Sequence, residues 1–218
     1  SRRHHILGFK NALNYVPVLK NGNILQLSWL MNYGAKPQQL EIEPGVFMDY
    51  LNDSIPYARS IQHVNVPSFY TNINAGYRLP KGIISQYYGL SATVDDQRLD
   101  SYISKHAAGL TTIVDVDSSK NEMHWIRSAI SFEGGYEYKK NKFSMRLTLP
   151  VSYQRTAYSD TLYAVNEKDN KVRFNPSYSA RYLLDQEREL SFSYGRKNSF
   201  GTIENVYRGL IIRNYRSL

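Results

Sequence analysis

Apolar and polar residues alternate with a period of two through most of this chain. Between residues 126 and 155 the alternation runs along one segment, passes the turn Lys139-Lys140-Asn141-Lys142, and returns along a second segment. Successive side chains of a β-strand point to opposite faces of the sheet. The pattern therefore predicts a hairpin with one apolar face and one polar face.

The register of this hairpin follows from the position of the turn. Pairing Tyr138 with Phe143 places both apolar sets on the same face of the sheet. The same register places Arg146 opposite Gly135, diagonal to two acidic residues. Charges at these positions need water or each other as partners.

Eight strands are predicted from the same alternation. They cover residues 7–19, 24–34, 66–79, 84–94, 126–138, 143–155, 172–184 and 190–195. The turn signal Asn21-Gly22-Asn23 between the first two strands predicts a three-residue loop that pairs Tyr15 with Trp29 and Leu13 with Met31.

The connections between the predicted strands alternate in length. Short turns fall near residues 21–23, 80–82, 139–142 and 185–189, and irregular connections are predicted at about 35–63, 95–123 and 156–170. All long connections then lie at one end of the sheet, as in transmembrane β-barrels with short periplasmic turns and long extracellular loops. We therefore predict an all-β fold and a single domain over residues 1–218. It is an antiparallel up-and-down meander of about eight strands, part of a transmembrane β-barrel.

Two features favour lipid over a second sheet as the partner of the apolar face. The polar faces consist mainly of Ser, Thr, Asn, Gly and Arg, and the apolar faces carry aromatic residues near both ends of the strands. Such aromatic girdles are typical of outer-membrane barrels. The residues predicted to face lipid are Trp29, Met31, Phe69, Tyr77, Phe132, Tyr136, Leu147, Leu149, Tyr182 and Phe192. A soluble sandwich or small barrel, whose apolar face is its core, remains the alternative.

Composition narrows the function classes. The formal net charge is +8, but the basic residues are scattered, so we do not predict binding to nucleic acid. The chain has no Cys and therefore no thiolate zinc site or Cys nucleophile. It has no Gly-x-Ser-x-Gly elbow and no glycine-rich phosphate loop. We predict neither an enzyme nor a bound cofactor.

Four charged residues on polar strand positions are the candidates for ligand contact. Glu133, Glu137, Arg146 and Arg181 are predicted to face the lumen of the barrel. The simpler interpretation of the first three is an ion pair of the lumen wall. Aromatic residues of the long connections are further candidates for stacking on a ligand, without one that stands out.

Metal sites are not predicted. Adjacent His4 and His5 would point to opposite faces of a strand. The segment 115–122 has acidic residues in a pattern like a calcium loop but lacks the glycine that the sharp turn needs. Asp95, Asp96 and Asp100 are interpreted as part of a solvated loop.

The C-terminal part of the chain contains two stretches of a recognisable type. They are Phe174-Asn-Pro-Ser-Tyr-Ser-Ala-Arg-Tyr-Leu-Leu-Asp-Gln-Glu-Arg-Glu-Leu-Ser-Phe-Ser-Tyr194 and Arg208-Gly-Leu-Ile-Ile-Arg-Asn-Tyr-Arg-Ser-Leu218. They resemble the β-barrel of Bacteroidota outer-membrane proteins related to TonB-dependent receptors. The resemblance is strongest over about the last 45 residues and extends more loosely to all four hairpins.

The resemblance implies a function as well as a fold. It implies a barrel of about 22 strands with a plug in its lumen, in the outer membrane of a Gram-negative bacterium. It also implies energised uptake of a chelate, glycan or peptide. The expected partners are the lipid bilayer, the remainder of the barrel, a plug domain and a TonB-type energy-coupling protein. We expect the chain to be an internal piece of such a barrel. The alternative is a cell-surface structural, adhesion or glycan-binding β-domain with no transport role.

Overall fold

The structure is a computed structural model that describes residues 2–4, 7–35, 37–42, 59–107, 110–113, 120–185 and 188–198. These residues form thirteen strands of one sheet. The strands are β1 (Arg2–His4), β2 (Leu7–Tyr15), β3 (Ile24–Ala35), β4 (Gln38–Ile42), β5 (Arg59–Asn65), β6 (Ser68–Lys81), β7 (Ile84–Ala107), β8 (Leu110–Ile113), β9 (Asn121–Lys140), β10 (Phe143–Asp160), β11 (Val165–Phe174), β12 (Ser177–Leu183) and β13 (Glu189–Gly195). In the described part of the chain, no helix has the length and apolar character needed to cross a membrane.

Several of these strands are consecutive parts of one longer strand. β5 and β6 pair with β7 in a single register, since Asn65 lies opposite Asp100 and Ser68 opposite Gln97. The same holds for β3 with β4 and for β11 with β12. Each of these three interruptions contains a proline, at positions 37, 67 and 176. Proline has no backbone N–H to donate, so a ladder breaks there without changing register.

β1 continues into β2 in the same register, since Arg2 lies opposite Leu40 and Leu7 opposite Ala35. Joined in this way, the strands make the antiparallel meander of eight long strands that the sequence predicts. Each long strand pairs with its neighbours in chain order, so that among the described residues the first and the last have one partner each, and β8 adds a short hairpin arm to the end of β7. This is the strand arrangement of a β-barrel wall. The tight turns between β2 and β3, β6 and β7, β9 and β10, and β12 and β13 all lie at one end, the short-turn end. The opposite end is called the far end.

The predicted registers of two hairpins are wrong by two residues. The β9–β10 turn contains only Asn141 and Lys142, so Lys140 pairs with Phe143 and Tyr138 with Met145. Asn141 takes the left-handed conformation (φ 51°) that such a tight turn uses. A shift of two residues keeps every side chain on its predicted face, because the side-chain period is two.

The first hairpin shows the same kind of shift. A bridge between Val18 and Ile24 closes its turn, and Leu13 pairs with Trp29 in place of Met31. The loop contains Gly22, whose φ of 78° favours glycine. The loop inside this bridge spans residues 19–23, two residues more than predicted.

The predicted long irregular connections are wrong in extent. Residues 95–107 continue β7, residues 156–160 continue β10, and the β10–β11 connection is only 161–164. The connection predicted at 35–63 contains β4 and β5, and residues 43–58 lie outside the described part. The strands at the far end are thus extensions of the same sheet.

Along β7 the apolar residues move from one face of the sheet to the other, and this change determines where the core lies. From Ile84 to Val94 the even-numbered positions carry the apolar residues; from Leu99 to Ile103 the odd-numbered positions do. Leu99 and Ile103 are almost fully buried, and Leu99 packs with Met123. The buried core therefore lies at the far end, on the face that is polar near the short turns.

Candidate functional site on the polar face

The part of the sheet between the short-turn end and Val94 is called the lower sheet, and its two faces must be distinguished. The polar face carries Tyr87, Gly89 and Ser91 on β7, and the apolar face carries Tyr88, Leu90 and Ala92. Cross-strand register assigns every other strand to the same two faces, because directly paired residues share a face.

A charged cluster lies on the polar face near the short-turn end. Glu137 accepts from two guanidinium groups: Arg78 Nη2 at 2.9 Å from Oε2, and Arg146 Nη2 at 3.3 Å from Oε1. Arg146 lies directly opposite Glu137 on the neighbouring strand, so its predicted position opposite Gly135 is wrong. The cause is the two-residue shift of the hairpin register. Sequence reasoning missed Arg78, which comes from the distant strand β6.

The charged cluster borders a cavity of about 480 Å³ that is open to solvent. Glu133 also lines it, and a second space of about 160 Å³ continues along the polar face past Glu133. Three of the four predicted ligand-contact residues, Glu133, Glu137 and Arg146, therefore line one concave surface. Carboxylate and guanidinium groups there are able to bind polar or charged ligands.

Arg181, the fourth candidate, has a different partner. It forms an ion pair with Glu189 on the adjacent strand, across the β12–β13 hairpin. It faces the same side of the sheet as Arg146, because Arg181 pairs with Ser144 and Arg146 with Ser179. It does not line the cavity described above.

Tyr87 lies over glycines at the centre of the polar face. A Cβ added to Gly76 would lie 3.0 Å from Cε2 of this ring, and one added to Gly89 would lie 2.7 Å from its hydroxyl. Gly76 and Gly89 pair directly with each other on neighbouring strands. The absence of side chains at both positions lets the ring lie against the backbone, which covers glycines that otherwise weaken a strand. No sequence motif marks this arrangement.

A second ion pair lies on the polar face just below the far-end core. Arg127 Nη2 is 2.6 Å from Asp95 Oδ2, and Gln97 donates to the other oxygen of Asp95 at 2.9 Å. Both ion-pair side chains are largely buried. Asp96 points to the other face, where His124 Nε2 lies 2.8 Å from its Oδ1. The prediction of a solvated loop around Asp95 and Asp96 is therefore wrong, and these residues form two separate pairs.

The apolar face of the lower sheet is widely exposed. Leu90 is 55% exposed, Ile130 61% and Phe132 52%. Leu90 pairs with Phe132, and Ile130 lies two residues from Phe132 on the same face of β9. Other exposed apolar residues lie on the same face, among them Leu7, Phe9, Leu13, Ile73, Val151, Tyr153, Val172, Phe174, Leu190 and Phe192. An apolar surface of this extent is rare on a soluble monomer and indicates an apolar environment or a partner.

All ten residues predicted to face lipid lie on this apolar face. Register places Trp29, Met31, Phe69, Tyr77, Phe132, Tyr136, Leu147, Leu149, Tyr182 and Phe192 together on it. The indole of Trp29 donates to Thr71 Oγ1 at 3.0 Å, so its polar atom has a partner on an otherwise apolar surface.

The apolar face ends at one level along β7. Val94 is its last apolar residue, and Asp96, Arg98 and Asp100 follow on the same face. Aromatic residues reach the same level on the neighbouring strands, since Phe69 pairs with both Tyr33 and Asp96. On β7 the face therefore changes from apolar to charged at the level where the aromatic residues of β3 and β6 end.

No metal site is formed by the described residues. Within them, no group of three or more His, Asp or Glu side chains is placed to hold an ion. His5 and residues 115–119 lie outside the described part of the chain.

No protein-family model matches this chain. No curated protein sequence matches it either. Among solved structures, the chain is similar to the crystal structure of the ferric citrate transporter FecA in the unliganded form, with a TM-score of 0.53 and 10% sequence identity. The match covers 87% of this chain and 26% of the FecA chain, so this chain spans about a quarter of that transporter. At this identity the likeness concerns the fold alone, and it agrees with the β-barrel part of the resemblance in the sequence.

Proposed function

We propose that this chain forms part of the wall of an outer-membrane β-barrel related to TonB-dependent receptors and takes part in ligand uptake across the outer membrane. The observation that carries the proposal is the one-sided exposed apolar face, which ends at a charged level along β7. A lipid bilayer would supply the apolar environment that such a face needs.

The height of the apolar face supports this proposal. From Ile84 to Val94 the strand rises about 33 Å at roughly 3.3 Å per residue, which is about 25 Å of height at a tilt of ~40°. The apolar band of outer-membrane barrels is about 25 Å tall. The remainder of β7, from Asp95 to Ala107, would then extend the barrel wall outside the membrane.

The two edges of the sheet support an assembly larger than this chain. Among the described residues, β2 pairs only with β3, and β13 pairs only with β12. Open edges of this length need a pairing strand, because they present unpaired N–H and C=O groups. The remainder of a barrel would supply those strands on both sides.

The polar face would be the lumen wall in this arrangement. Glu133, Glu137 and Arg146 would then line the lumen close to the short-turn end. The plug and the ligand, which occupy the lumen, would face these three side chains. The plug, the TonB-type partner, the lack of enzymatic activity and the Bacteroidota origin are parts of the proposal that rest on the sequence.

The test has two stages. The full-length protein that contains this chain is expressed with its native export signal and located by membrane fractionation, and its folding is followed by circular dichroism with and without detergent. The proposal predicts recovery in the outer-membrane fraction and β-structure that requires detergent or lipid. A soluble, monodisperse and cooperatively folded product would contradict it and favour the cell-surface β-domain.

Uptake is tested in cells that carry or lack the gene. Accumulation of labelled iron chelates, oligosaccharides and peptides is measured in both, and in a strain without the TonB-type energy-coupling protein. The proposal predicts that one ligand class accumulates only when both genes are present. Equal accumulation of every class in all three strains would overturn the transport role while leaving the membrane location intact.

A further inference from the structure

Two histidines at the far end of the sheet share one serine hydroxyl. His63 Nε2 and His106 Nε2 each lie 3.2 Å from Ser104 Oγ. Beyond them, Gln39 Nε2 lies 3.4 Å from His63 Nδ1, and Thr111 Oγ1 lies 3.0 Å from His106 Nδ1. The chain of contacts links four strands, β4, β5, β7 and β8.

The hydrogen bonds of this series all run in one direction when both histidines are neutral. Gln39 donates to His63 Nδ1, His63 Nε2–H donates to Ser104 Oγ, and the Ser104 hydroxyl donates to His106 Nε2. His106 Nδ1–H then donates to Thr111. Each contact in the series then joins one donor to one acceptor, and each neutral imidazole uses one nitrogen as donor and the other as acceptor.

A proton added to either histidine of this series of hydrogen bonds would face another donor. A proton on His63 Nδ1 would face the amide hydrogens of Gln39, and a proton on His106 Nε2 would face the hydroxyl hydrogen of Ser104. That hydroxyl can turn to the carbonyl of Ile61 at 3.4 Å, a long hydrogen bond. Two imidazolium rings around one hydroxyl would also repel each other.

The charges that share this face do not relieve the repulsion. Arg59 lies directly opposite His106 and is itself positive. Glu41 pairs with Arg59 at 3.4 Å, and Asp100 lies opposite Asn65, beyond Tyr102. Tyr102 stacks on His63 with ring centroids 4.6 Å apart and so covers one face of the imidazole. Burial, followed by the charge of His106, lowers the pKa of His63 from its ordinary value.

We propose that the chain from Gln39 through His63, Ser104 and His106 to Thr111 is an acid-sensitive latch that holds the far end of the sheet together. A proton on His63 Nδ1 would break the contact with Gln39, so protonation of His63 favours a state in which the hydrogen bonds of β5 with β4 and β7 loosen. The latch is closed at neutral pH and opens as the outside becomes acidic. Far-end residues covered by these strands, such as Ile103 and Gln62, would then gain access to water.

The sign of the pH effect follows from proton linkage. In the open state His63 binds a proton with the ordinary affinity of histidine, whose pKa is near 6.5, and in the closed state it binds the proton less well. The closed state is therefore fully favoured above about pH 6.5 and loses stability as the pH falls through the lowered pKa of His63. One linked proton changes an opening equilibrium by up to about tenfold per pH unit.

Hydrogen–deuterium exchange of the full-length protein in detergent micelles tests the latch. Protection of the amides of β5 and of residues 101–107 is compared at pH 7.5 and 5.5, after adjustment for intrinsic exchange rates. We expect protection to fall about threefold or more at pH 5.5. His63→Gln and His106→Gln should remove this pH dependence.

His124→Gln is the matched control, because His124 is on the same face but pairs with Asp96 outside the latch. It should keep the wild-type pH response. Protection independent of pH in the wild type, or an unchanged response in His63→Gln, would overturn the proposal. Titration of the His63 ring signals by NMR in the wild type gives a second readout that needs no variant, and a titration of His63 at the ordinary histidine pKa would also overturn the proposal.

Discussion

Val94 and Asp96 lie two residues apart on the same face of β7, and between them that face changes from apolar to charged. Directly behind this step, on the other face, the polar Asp95–Arg127 pair gives way to buried Leu99. Both faces thus change polarity within five residues of β7. A sheet that passes from lipid into water would show such a change.

The first prediction concerns the apolar face. Leu90→Arg should destabilise the protein in lipid vesicles by about 2–4 kcal/mol, because Leu90 lies near the middle of the apolar band. The matched variant Ser91→Arg points to the polar face and should change stability much less. Denaturant unfolding of both variants in vesicles measures the difference, and equal losses would contradict the assignment of the faces.

The second prediction concerns the charged cluster on the polar face. All three side chains of the cluster are partly exposed, so each ion pair should contribute roughly 0.2–1 kcal/mol. Double-mutant cycles with Glu137→Gln should give a larger coupling for Arg78, at 2.9 Å, than for Arg146, at 3.3 Å. Couplings should weaken in high salt. A coupling of several kcal/mol would instead mean that this part of the polar face is dry.

The third prediction concerns Tyr87 and the glycines beneath it. Gly76→Ala places a methyl group 3.0 Å from the ring, whereas Gly134→Ala meets nothing within 4 Å. Overpacking of this kind costs about 1 kcal/mol or more, so Gly76→Ala should be the less stable variant. The gap between the two should close in a Tyr87→Ala background. A gap that persists there would show that the ring is not its cause.

The fourth prediction concerns the far-end core. Leu99 is 1% exposed and packs with Met123, so Leu99→Ala should cost about 2–5 kcal/mol through the lost contacts and the cavity. Protection from hydrogen exchange should fall in the far half of β7 before it falls near the short turns. Met123→Leu, which keeps the volume, should cost less than about 1.5 kcal/mol. Uniform loss of protection along β7 would contradict a separate far-end core.

The sequence predicts the lower sheet well because period-two alternation is strong wherever one face is apolar. It assigns the ten residues predicted to face lipid to one common face, and the strand register places them together. It places each of two hairpins two residues out of register, since the alternation fixes the face and only the turn geometry at Asn141 and Gly22 fixes the pairing.

The far end of the sheet is missed for a physical reason. Alternation continues beyond Val94, but its phase reverses, so a search for apolar residues at even positions ends there. The candidate site is predicted in part: Glu137 and Arg146 follow from the hairpin itself, while Arg78 and Tyr87 reach the same surface only through pairing of strands distant in sequence. The His63–Ser104–His106 chain is hidden for the same reason.

The central claim is tested most directly by measuring whether lipid or water surrounds two adjacent residues on opposite faces of the sheet. The chain has no Cys, so Leu90→Cys and Ser91→Cys each give a single site for a nitroxide spin label in the full-length protein in vesicles, provided that any Cys outside this chain is first replaced. The account predicts that the label at position 90 is accessible to oxygen dissolved in lipid. The label at position 91 should be accessible to a water-soluble nickel complex. Greater access of the nickel complex at position 90, or equal exclusion of both reagents there, would contradict a lipid-facing apolar surface.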